Sequence, residues 1–246
     1  MNLSATIITY NEEKNIARAI KSLNFVNEIT VIDSGSSDQT VKIARELGAR
    51  VFHNPFAGYG QQKNFAASKA EHNWILSIDA DEEVSNELKE SLLKNLQSLD
   101  ETMVYYVNRR TNFCQKWIYH GGWYPDILAR IYNKKSARWT EPHVHEELIA
   151  NSPSTKKIII KGHLNHYSFP SCKSQIETNI KYAKLGSQSF KRRPSFFKVL
   201  TKPVGKFIEC YLIKRGVLDG KAGLIIALNA SYSIFMKYLF AWNHHD

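Results

Sequence analysis

Two carboxylates follow an apolar, strand-like run in the first half of this chain. Asp79 and Asp81 flank the small residue Ala80 directly after the run from Trp74 to Ile78. Helix caps and turns also favour aspartate, but a cap does not require two carboxylates around one small residue. Mg²⁺ and Mn²⁺ prefer oxygen ligands and commonly join a few carboxylates to substrate phosphates. We therefore predict that Asp81 binds Mg²⁺ or Mn²⁺, and that Asp79 contacts a ribose or the water shell of the metal.

A divalent cation would reverse the electrostatics of such an acidic pocket. Carboxylates alone repel the anionic oxygens of a nucleotide diphosphate, whereas a cation placed between the two groups attracts both. When the bond from a sugar to the diphosphate breaks, that cation stabilises the departing diphosphate. The aspartate pair therefore indicates a site for a nucleotide sugar.

Two other strand-like runs also end in polar clusters. The run from Leu3 to Thr9 is followed by Tyr10-Asn11-Glu12-Glu13, and the run from Ile29 to Ile32 by Asp33-Ser34-Gly35-Ser36-Ser37-Asp38. Ser37 or Asp38 would also suit a helix cap. If the strands are parallel, all of these clusters meet at the same edge of one sheet.

Segments with helical spacing separate the strand-like runs. Apolar residues recur at helical spacing after the first run, at Ile16, Ala19, Ile20 and Leu23. Strands that alternate with helices of this length predict an α/β protein with parallel strands joined by right-handed crossovers. In such sheets ligands bind beyond the carboxyl ends of the strands, where the polar clusters lie.

These motifs resemble glycosyltransferase family 2 in their order, spacing and strand-end context, over about the first 85 residues. The resemblance implies the GT-A fold and inverting transfer of a sugar from a nucleotide donor. It implies that Thr9, Asn11 and Glu12 line the nucleoside pocket and that Asp33 contacts the base, usually uracil. The predicted nucleotide-sugar site comprises Thr9, Tyr10, Asn11, Glu12, Asp33, Ser36, Asp38, Lys63, Asn64, Asp79 and Ala80.

The resemblance places Lys63 and Asn64 near the pyrophosphate. Many family members have an arginine where this chain has Lys63. A lysine at this position still supplies positive charge to a phosphate, although as a point charge rather than a planar fork.

The base that takes the proton from the acceptor hydroxyl must come from the middle of the chain. Many family members have an adjacent Glu-Asp pair there, which this sequence lacks, and Glu146 and Asp126 are the nearest substitutes. The run from Gly121 to Asp126, followed by Val144-His145-Glu146-Glu147, resembles the branch of lipopolysaccharide core beta-glucosyltransferases over most of the chain. That resemblance favours Glu146 as the base and leaves Asp126 as the alternative.

Other roles are open to the same segment. Glu146 could form a structural salt bridge to Arg130 or Arg138 instead. His143 and His145 alternate, so they would share one face of a strand. We predict His145 as an auxiliary metal ligand, with a hydrogen-bonded structural role as the alternative. The spacing fits no zinc pattern.

Basic residues are concentrated in the C-terminal part of the chain. Residues 151–246 contain 16 Lys and Arg against 4 Asp and Glu, within a chain whose net charge is +10. We predict a GT-A catalytic domain over residues 1–165 and a basic amphipathic helical region over 166–246. One helix is expected from Ser174 to Ser189, and Lys191-Arg192-Arg193-Pro194 should interrupt the helices.

The last apolar stretch, Ala222 to Met236, is shorter than the roughly 20 residues that a membrane-spanning helix needs. Basic residues interleaved with aromatic and aliphatic ones suit a helix that lies on an anionic membrane surface. A helical appendage packed on the catalytic domain is the alternative interpretation, and the two can coexist.

Composition narrows the functional classes. The chain contains three well-separated cysteines and its N-terminus lacks the pattern of a secretory signal, which predicts a reducing, cytoplasmic location. No nucleic-acid-binding signature is present.

We expect a hexosyltransferase, peripheral on the cytoplasmic face of the inner membrane. Its predicted partners are a UDP-linked hexose such as UDP-glucose, a glycolipid or lipopolysaccharide core acceptor, and an anionic membrane. The alternative is a noncatalytic sugar-nucleotide-binding or membrane-interaction module with a degenerate active site.

Overall fold

The computed structural model describes residues 2–141, 146–151, 157–190 and 192–243. It divides into two compact units. The first contains Met1–Arg109 and Ile127–His166, and the second contains Arg110–Asp126 and Tyr167–Asp246. The predicted boundary between residues 165 and 166 lies close to one of these division points. The structure also assigns the earlier segment Arg110–Asp126 to the second unit, which the sequence did not indicate.

A mixed sheet forms the centre of the first unit. Its strand order is β3-β2-β1-β4-β8-β6-β11-β5, and a separate antiparallel pair is formed by β9 and β10. The strands are β1 (Leu3–Thr9), β2 (Glu28–Asp33), β3 (Arg50–His53), β4 (Trp74–Asp79), β5 (Glu82–Val84), β6 (Val104–Phe113), β7 (Lys116–Trp117), β8 (Asp126–Asn133), β9 (Ala137–Trp139), β10 (Leu148–Ala150) and β11 (Ile158–Phe169).

The parallel strands bring the predicted polar clusters to one edge of the sheet. In the registers of β1 with β2 and with β4, Thr9 lies opposite Asp33 and Ile8 lies opposite Asp79. The three carboxyl ends are therefore level with one another, as expected for strands linked through helical crossovers. The predicted α/β class is confirmed; strands β3, β2, β1 and β4 are parallel, and β8 pairs antiparallel with β4, which makes the whole sheet mixed.

Helices separate these strands along the chain. The first unit contains α1 (Ile16–Ser22), α2 (Thr40–Glu46), α3 (Tyr59–Lys69) and α4 (Asn86–Asn95). Ile16, Ala19 and Ile20 of α1 are buried against the apolar residues of β1 and β4, as their helical spacing predicts. This core holds the strand ends in place and leaves the loops beyond them accessible to a ligand.

The second unit is mostly helical, which confirms the prediction for the C-terminal region. It contains α5 (Cys172–Ser187), α6 (Phe196–Ile208) and α7 (Gly220–Asn243), with a π-helical segment Glu209–Ile213 and a 3₁₀ segment Gly216–Asp219 before α7. Helix α5 begins and ends two residues earlier than the expected Ser174 to Ser189. Helix α7 packs against both α5 and α6.

Helix α7 is longer than the apolar stretch that the sequence marks. It runs for 24 residues, and polar side chains within it bond to neighbouring helices. Asn229 donates to Gln175 of α5, and the Ser231 hydroxyl donates to the Pro203 carbonyl of α6 at 2.8 Å. By length and composition alone, Gly216–Asn243 could cross a membrane, which is weak evidence for a span.

Candidate active site

The loops after β1 and β2 are joined by hydrogen bonds between backbone and side chains. The Asn11 backbone NH donates to the Ser36 hydroxyl at 2.8 Å, and the Ser37 NH donates to the Asn11 side-chain oxygen at 2.9 Å. The Asp38 carboxylate accepts the backbone NH of Glu13 at 3.1 Å and that of Thr40 at 2.9 Å. Ser36 and Asp38 therefore shape the predicted nucleoside loops.

Asp33 lies at the centre of this loop pair. Its side chain is buried, and its Oδ2 accepts the backbone NH of Gly35 at 2.9 Å and of Ser36 at 3.0 Å. Thr9, opposite Asp33, has a buried hydroxyl that makes no hydrogen bond within the described part of the chain. Thr9 therefore lies beside Asp33 at the end of β1, and its predicted contact with the nucleoside stays a prediction.

Tyr10 and Glu12 complete the first loop. Tyr10 is exposed, which leaves its ring accessible to a bound molecule. Burial raises the pKa of the Glu12 carboxyl, although a hydrogen bond from Asn15 opposes the shift. The Glu12 backbone NH donates to the Thr40 hydroxyl at 2.8 Å, which ties this loop to the start of α2.

At the end of β4, Asp79 belongs to a buried ionic cluster. Nη2 of Arg130, on β8, lies 2.9 Å from Asp79 Oδ2 and 2.7 Å from Glu82 Oε1. Glu82 also accepts the Asp79 backbone NH at 2.9 Å, and Arg109 lies 3.3 Å from Glu82. One guanidinium thus holds two carboxylates on either side of Ala80 and Asp81.

The charges in this cluster stabilise one another. Burial alone would raise the pKa of Asp79, but Arg130 and Lys63 outweigh it and hold the pKa of that carboxyl well below its usual range. Burial would lower the pKa of Arg130, and the two carboxylates raise it above its ordinary value instead. Asp79 is therefore ionised at neutral pH. Its Oδ1 is buried and makes no hydrogen bond with any described group.

Asp81 faces a histidine that the sequence reasoning did not select. His166 Nε2 lies 3.1 Å from Asp81 Oδ2. Strand β5 pairs antiparallel with β11, so that His166 lies opposite Glu82 and next to Asp81. Gly162 lets β11 approach the start of α4, because its φ is +107° and a Cβ there would lie 2.3 Å from the Leu88 backbone nitrogen.

Lys63 lies between two carboxylates. Its Nζ is 2.7 Å from Glu146 Oε1, 3.9 Å from Asp79 Oδ1 and 4.5 Å from the centre of the Trp139 ring. The alternative role predicted for Glu146 was a structural salt bridge to Arg130 or Arg138. In the structure its salt-bridge partner is Lys63. Gly60, one helical turn earlier in α3, lets the helix approach this segment, since a Cβ there would lie 1.8 Å from the Thr140 carbonyl oxygen.

Asn64 is engaged with the protein itself. Its side-chain NH₂ donates to the Trp139 carbonyl at 2.9 Å and to Glu141 at 3.0 Å, and its oxygen accepts the Trp139 NH at 3.0 Å. In this structure Asn64 fixes β9 against α3. Its predicted position near the pyrophosphate stays a prediction.

The remaining predicted residues are placed as follows. Glu146 belongs to the first unit with the aspartates, whereas Asp126 belongs to the second unit. His145, the predicted auxiliary ligand, lies outside the described residues, as does His143. Within the described ranges, no group of three or more His, Cys, Asp and Glu is arranged to hold a metal ion.

Arg130, Glu82 and His166 are the site residues that sequence reasoning missed. Glu82 directly follows the aspartate pair, and its position after Asp81 was the available signal. Arg130 was considered only as a partner of Glu146. Arg130 reaches Asp79 through the antiparallel pairing of β8 with β4, and His166 reaches Asp81 through that of β11 with β5. No local sequence pattern predicts either pairing.

Comparison with known proteins shows the family to which this chain belongs. The sequence matches Glycosyl transferase family 2 over residues 4–161. It is 30% identical to a glycosyltransferase of Rickettsia prowazekii, over 96% of this chain and 85% of that protein. It is 27% identical to a lipopolysaccharide core biosynthesis glycosyltransferase of Rhizobium meliloti, over 99% of this chain and 93% of that protein.

Among solved structures, glucosyl-3-phosphoglycerate synthase of Mycobacterium tuberculosis is similar at 25% identity and a TM-score of 0.38. The match covers 45% of this chain and 44% of that one. A TM-score this low supports no conclusion about function or ligands. The family match covers more than half of the chain and includes every predicted nucleotide-sugar residue. This chain therefore belongs to glycosyl transferase family 2, has the GT-A fold, and is a glycosyltransferase.

Proposed function

We propose that this glycosyltransferase moves glucose from a UDP-linked donor to a lipopolysaccharide inner-core acceptor, with inversion at the anomeric carbon. The observation that carries this proposal is the alignment of Thr9, Asp33 and Asp79 at one edge of the sheet. The nucleoside loops lie at one end of that row, and the acidic strand end lies at the other. A donor molecule has the same order of parts, with base and ribose first and diphosphate and sugar after them.

The residues around Asp81 fit a hard divalent ion such as Mn²⁺ or Mg²⁺. Asp81 and His166 would hold it, with a carboxylate oxygen and an imidazole nitrogen 3.1 Å apart. Two protein ligands are enough when substrate phosphates supply others. The buried Oδ1 of Asp79 has no hydrogen-bond partner among described groups and could accept from a ribose hydroxyl or a metal-bound water. When bound, the metal would neutralise charge on the departing diphosphate.

Glu146 is the proposed base. The acceptor hydroxyl attacks the anomeric carbon from the face opposite the diphosphate and passes its proton to Glu146. The bond from the sugar to the diphosphate breaks, and its electron pair leaves with the diphosphate. Lys63, 2.7 Å from Glu146 and 3.9 Å from Asp79, supplies positive charge between the base and the acidic strand end.

The acceptor and location rest on two kinds of support. The relative from Rhizobium meliloti, which aligns over 99% of this chain, is named for lipopolysaccharide core biosynthesis. The second unit carries the basic excess of the chain, which suits a glycolipid acceptor at an anionic membrane. We propose peripheral association with the cytoplasmic face of the inner membrane.

A donor panel tests this function. Purified protein would be incubated with UDP-, GDP-, ADP- and dTDP-linked hexoses, with Mn²⁺, Mg²⁺ or EDTA, and with or without isolated lipopolysaccharide core. We expect release of UDP from UDP-glucose with metal present, and faster release with the core acceptor. Equal turnover in EDTA would contradict the metal site. Turnover of a different donor would change the proposed sugar or nucleobase of the donor and would leave the proposed transfer reaction unchanged.

A further inference from the structure

Helix α6 carries an exposed apolar stripe. Phe197, Leu200, Val204 and Ile208 recur three or four residues apart and therefore lie on one face of the helix. Phe197 is 73% exposed, Leu200 51% and Val204 58%. A soluble surface rarely leaves such a row of large apolar side chains in water without a partner.

Helix α6 also carries a row of lysines. Lys198, Lys202 and Lys206 are four residues apart, so they form a second row, which Thr201 and Gly205 separate from the apolar stripe. Lys198 and Lys202 are exposed, and neither forms an ion pair with any residue that the structure describes. The sequence of α6 contains no aspartate or glutamate. The helix therefore combines exposed positive charge with an exposed apolar stripe, and the long lysine side chains can extend toward anionic groups at the same surface.

The third face fixes how the helix is rotated. Val199 and Pro203 are buried, and the Pro203 carbonyl accepts the Ser231 hydroxyl of α7 at 2.8 Å. Helix α6 packs along α7 through this face. The packing of α6 on α7 therefore directs the apolar stripe away from α7.

We propose that α6 is the membrane-docking element of this protein and lies parallel to an anionic lipid surface. Its apolar stripe enters the boundary between headgroups and acyl chains, and its lysines contact the anionic headgroups. Later in the sequence Leu212, Ile213 and Leu218 are also exposed, with Lys214 and Arg215 between them in the chain. This inference rests on the proposed function in one respect, which is that docking would keep the enzyme beside a lipid-linked acceptor.

Charge distinguishes a lipid surface from a second copy of this chain as the occupant. A symmetric dimer through the stripe would bring together two helices that each carry three lysines and no acidic residue, and this like charge opposes association. An anionic bilayer offers both an apolar interior for the stripe and negative charge for the lysines.

Two double variants separate the apolar and ionic contributions. Leu200→Ser with Val204→Ser shortens the stripe without changing charge, and Lys198→Gln with Lys202→Gln removes charge without changing the stripe. Binding of the full chain would be measured by cosedimentation with vesicles of phosphatidylcholine, with and without phosphatidylglycerol, at low and high salt. We expect each double variant to weaken binding to the anionic vesicles by about tenfold or more. Wild-type binding should also fall as salt rises.

Matched controls lie on the first unit. Leu93→Ser with Ile159→Ser removes side chains that are 50% and 43% exposed, and Lys42→Gln with Lys94→Gln removes two exposed lysines. These variants should bind vesicles as wild type does. Equal losses in controls and α6 variants, or no loss in the α6 variants, would overturn the proposal. So would salt-insensitive binding, which would assign the membrane contact to α7.

Donor hydrolysis in solution separates this proposal from the proposed function. The α6 variants should hydrolyse the donor at the wild-type rate, because the changed side chains are exposed. Normal vesicle binding without transfer from UDP-glucose to the core acceptor would reject the proposed donor and acceptor alone. Full activity without binding to any vesicle would reject the docking assignment alone. A wild-type dimer that the Leu200→Ser, Val204→Ser variant converts to a monomer would assign the stripe to self-association instead.

Discussion

The charged side chains discussed above are buried and paired in the first unit of the chain and exposed in the second. In the first unit, the buried Arg130 pairs with both Asp79 and Glu82. In the second unit, Lys198 and Lys202 point into solvent beside exposed apolar residues. Buried pairing holds side chains in one geometry at a large desolvation cost. Exposed charge creates a field that acts on whatever approaches.

This difference fits the two kinds of recognition that we propose. Polar groups fixed by one another, as in the first unit, suit a small ligand bound in one orientation. Exposed charge beside exposed apolar side chains, as in the second unit, suits an extended surface whose molecular detail varies. Five substitutions test this contrast between the units, and their expected effects decrease from Asp81 to Gly205.

The greatest loss is expected for Asp81→Ala. Loss of a metal-binding carboxylate should lower turnover by about 10⁴-fold or more, because the metal contributes several kcal/mol to the departure of the diphosphate. Steady-state kinetics with saturating Mn²⁺ would measure this loss, and thermal unfolding would show that the fold is retained. Glu101→Ala, which removes an exposed carboxylate of the same unit, is the matched control. Near-normal turnover of the Asp81 variant would remove the metal from the mechanism.

Glu146→Gln tests the base. We expect turnover to fall by about 10²–10⁴-fold while the dissociation constant of the donor changes little. Titration calorimetry with the donor and single-turnover kinetics would separate the two quantities. Glu147→Gln changes the adjacent, exposed carboxylate and should be nearly silent. Unchanged turnover in the Glu146 variant would reduce its role to the ion pair with Lys63 and return attention to Asp126.

Arg130→Gln tests the buried pairing. Removing the guanidinium leaves Asp79 and Glu82 without their main cation, so the free energy of unfolding should fall by about 3–5 kcal/mol. Urea denaturation would measure the loss. Arg138→Gln removes an exposed arginine of the same unit and should change stability by no more than about 0.5 kcal/mol. Similar losses in the two variants would mean that the cluster is not a special structural feature of this unit.

Gly60→Ala tests the contact that brings α3 to the Trp139 segment. A Cβ there would lie 1.8 Å from the Thr140 carbonyl oxygen, and relief requires backbone movement. We expect a loss of about 1–3 kcal/mol in the free energy of unfolding, together with reduced turnover because Lys63 and Glu146 separate. Normal stability with normal turnover would show that this approach is not needed.

Gly205→Ala is the counterpart in the second unit. No atom lies within 4 Å of a Cβ added at this position of α6, and alanine favours a helix interior over glycine. The free energy of unfolding should rise by about 0.5–1 kcal/mol, measurable as a higher denaturant midpoint. A decrease would indicate that α6 needs flexibility at this point and would weaken its description as a regular docking helix.

The parallel half of the fold was predictable because its information is local. Strand β1 occupies Leu3–Thr9, as the apolar run predicts, and the polar residues after β1, β2 and β4 meet at one edge because parallel strands must be joined by crossovers. The helical C-terminal region followed from its spacing in the same way. Local periodicity was therefore enough to place at one sheet edge the loops that we propose bind the nucleotide.

The antiparallel half was not predictable from local pattern. Arg130 reaches Asp79 because β8 pairs antiparallel with β4, and His166 reaches Asp81 because β11 pairs with β5. Each pairing joins residues about 50 or more positions apart, and nothing in either strand alone specifies the partner. The length of α7 was underestimated because its polar side chains find partners on other helices, which a composition count treats as interruptions.

The position of Lys63 affects how inherited or engineered changes at this residue are interpreted. Its single ammonium group serves two acids from distant parts of the chain, Asp79 and Glu146. A neutral replacement would leave both acids without this cation, so a defective variant would not by itself reveal a lost phosphate contact. The informative experiment pairs the replacement with Glu146→Gln, since a double variant no worse than the single one would show that the two side chains act as a unit.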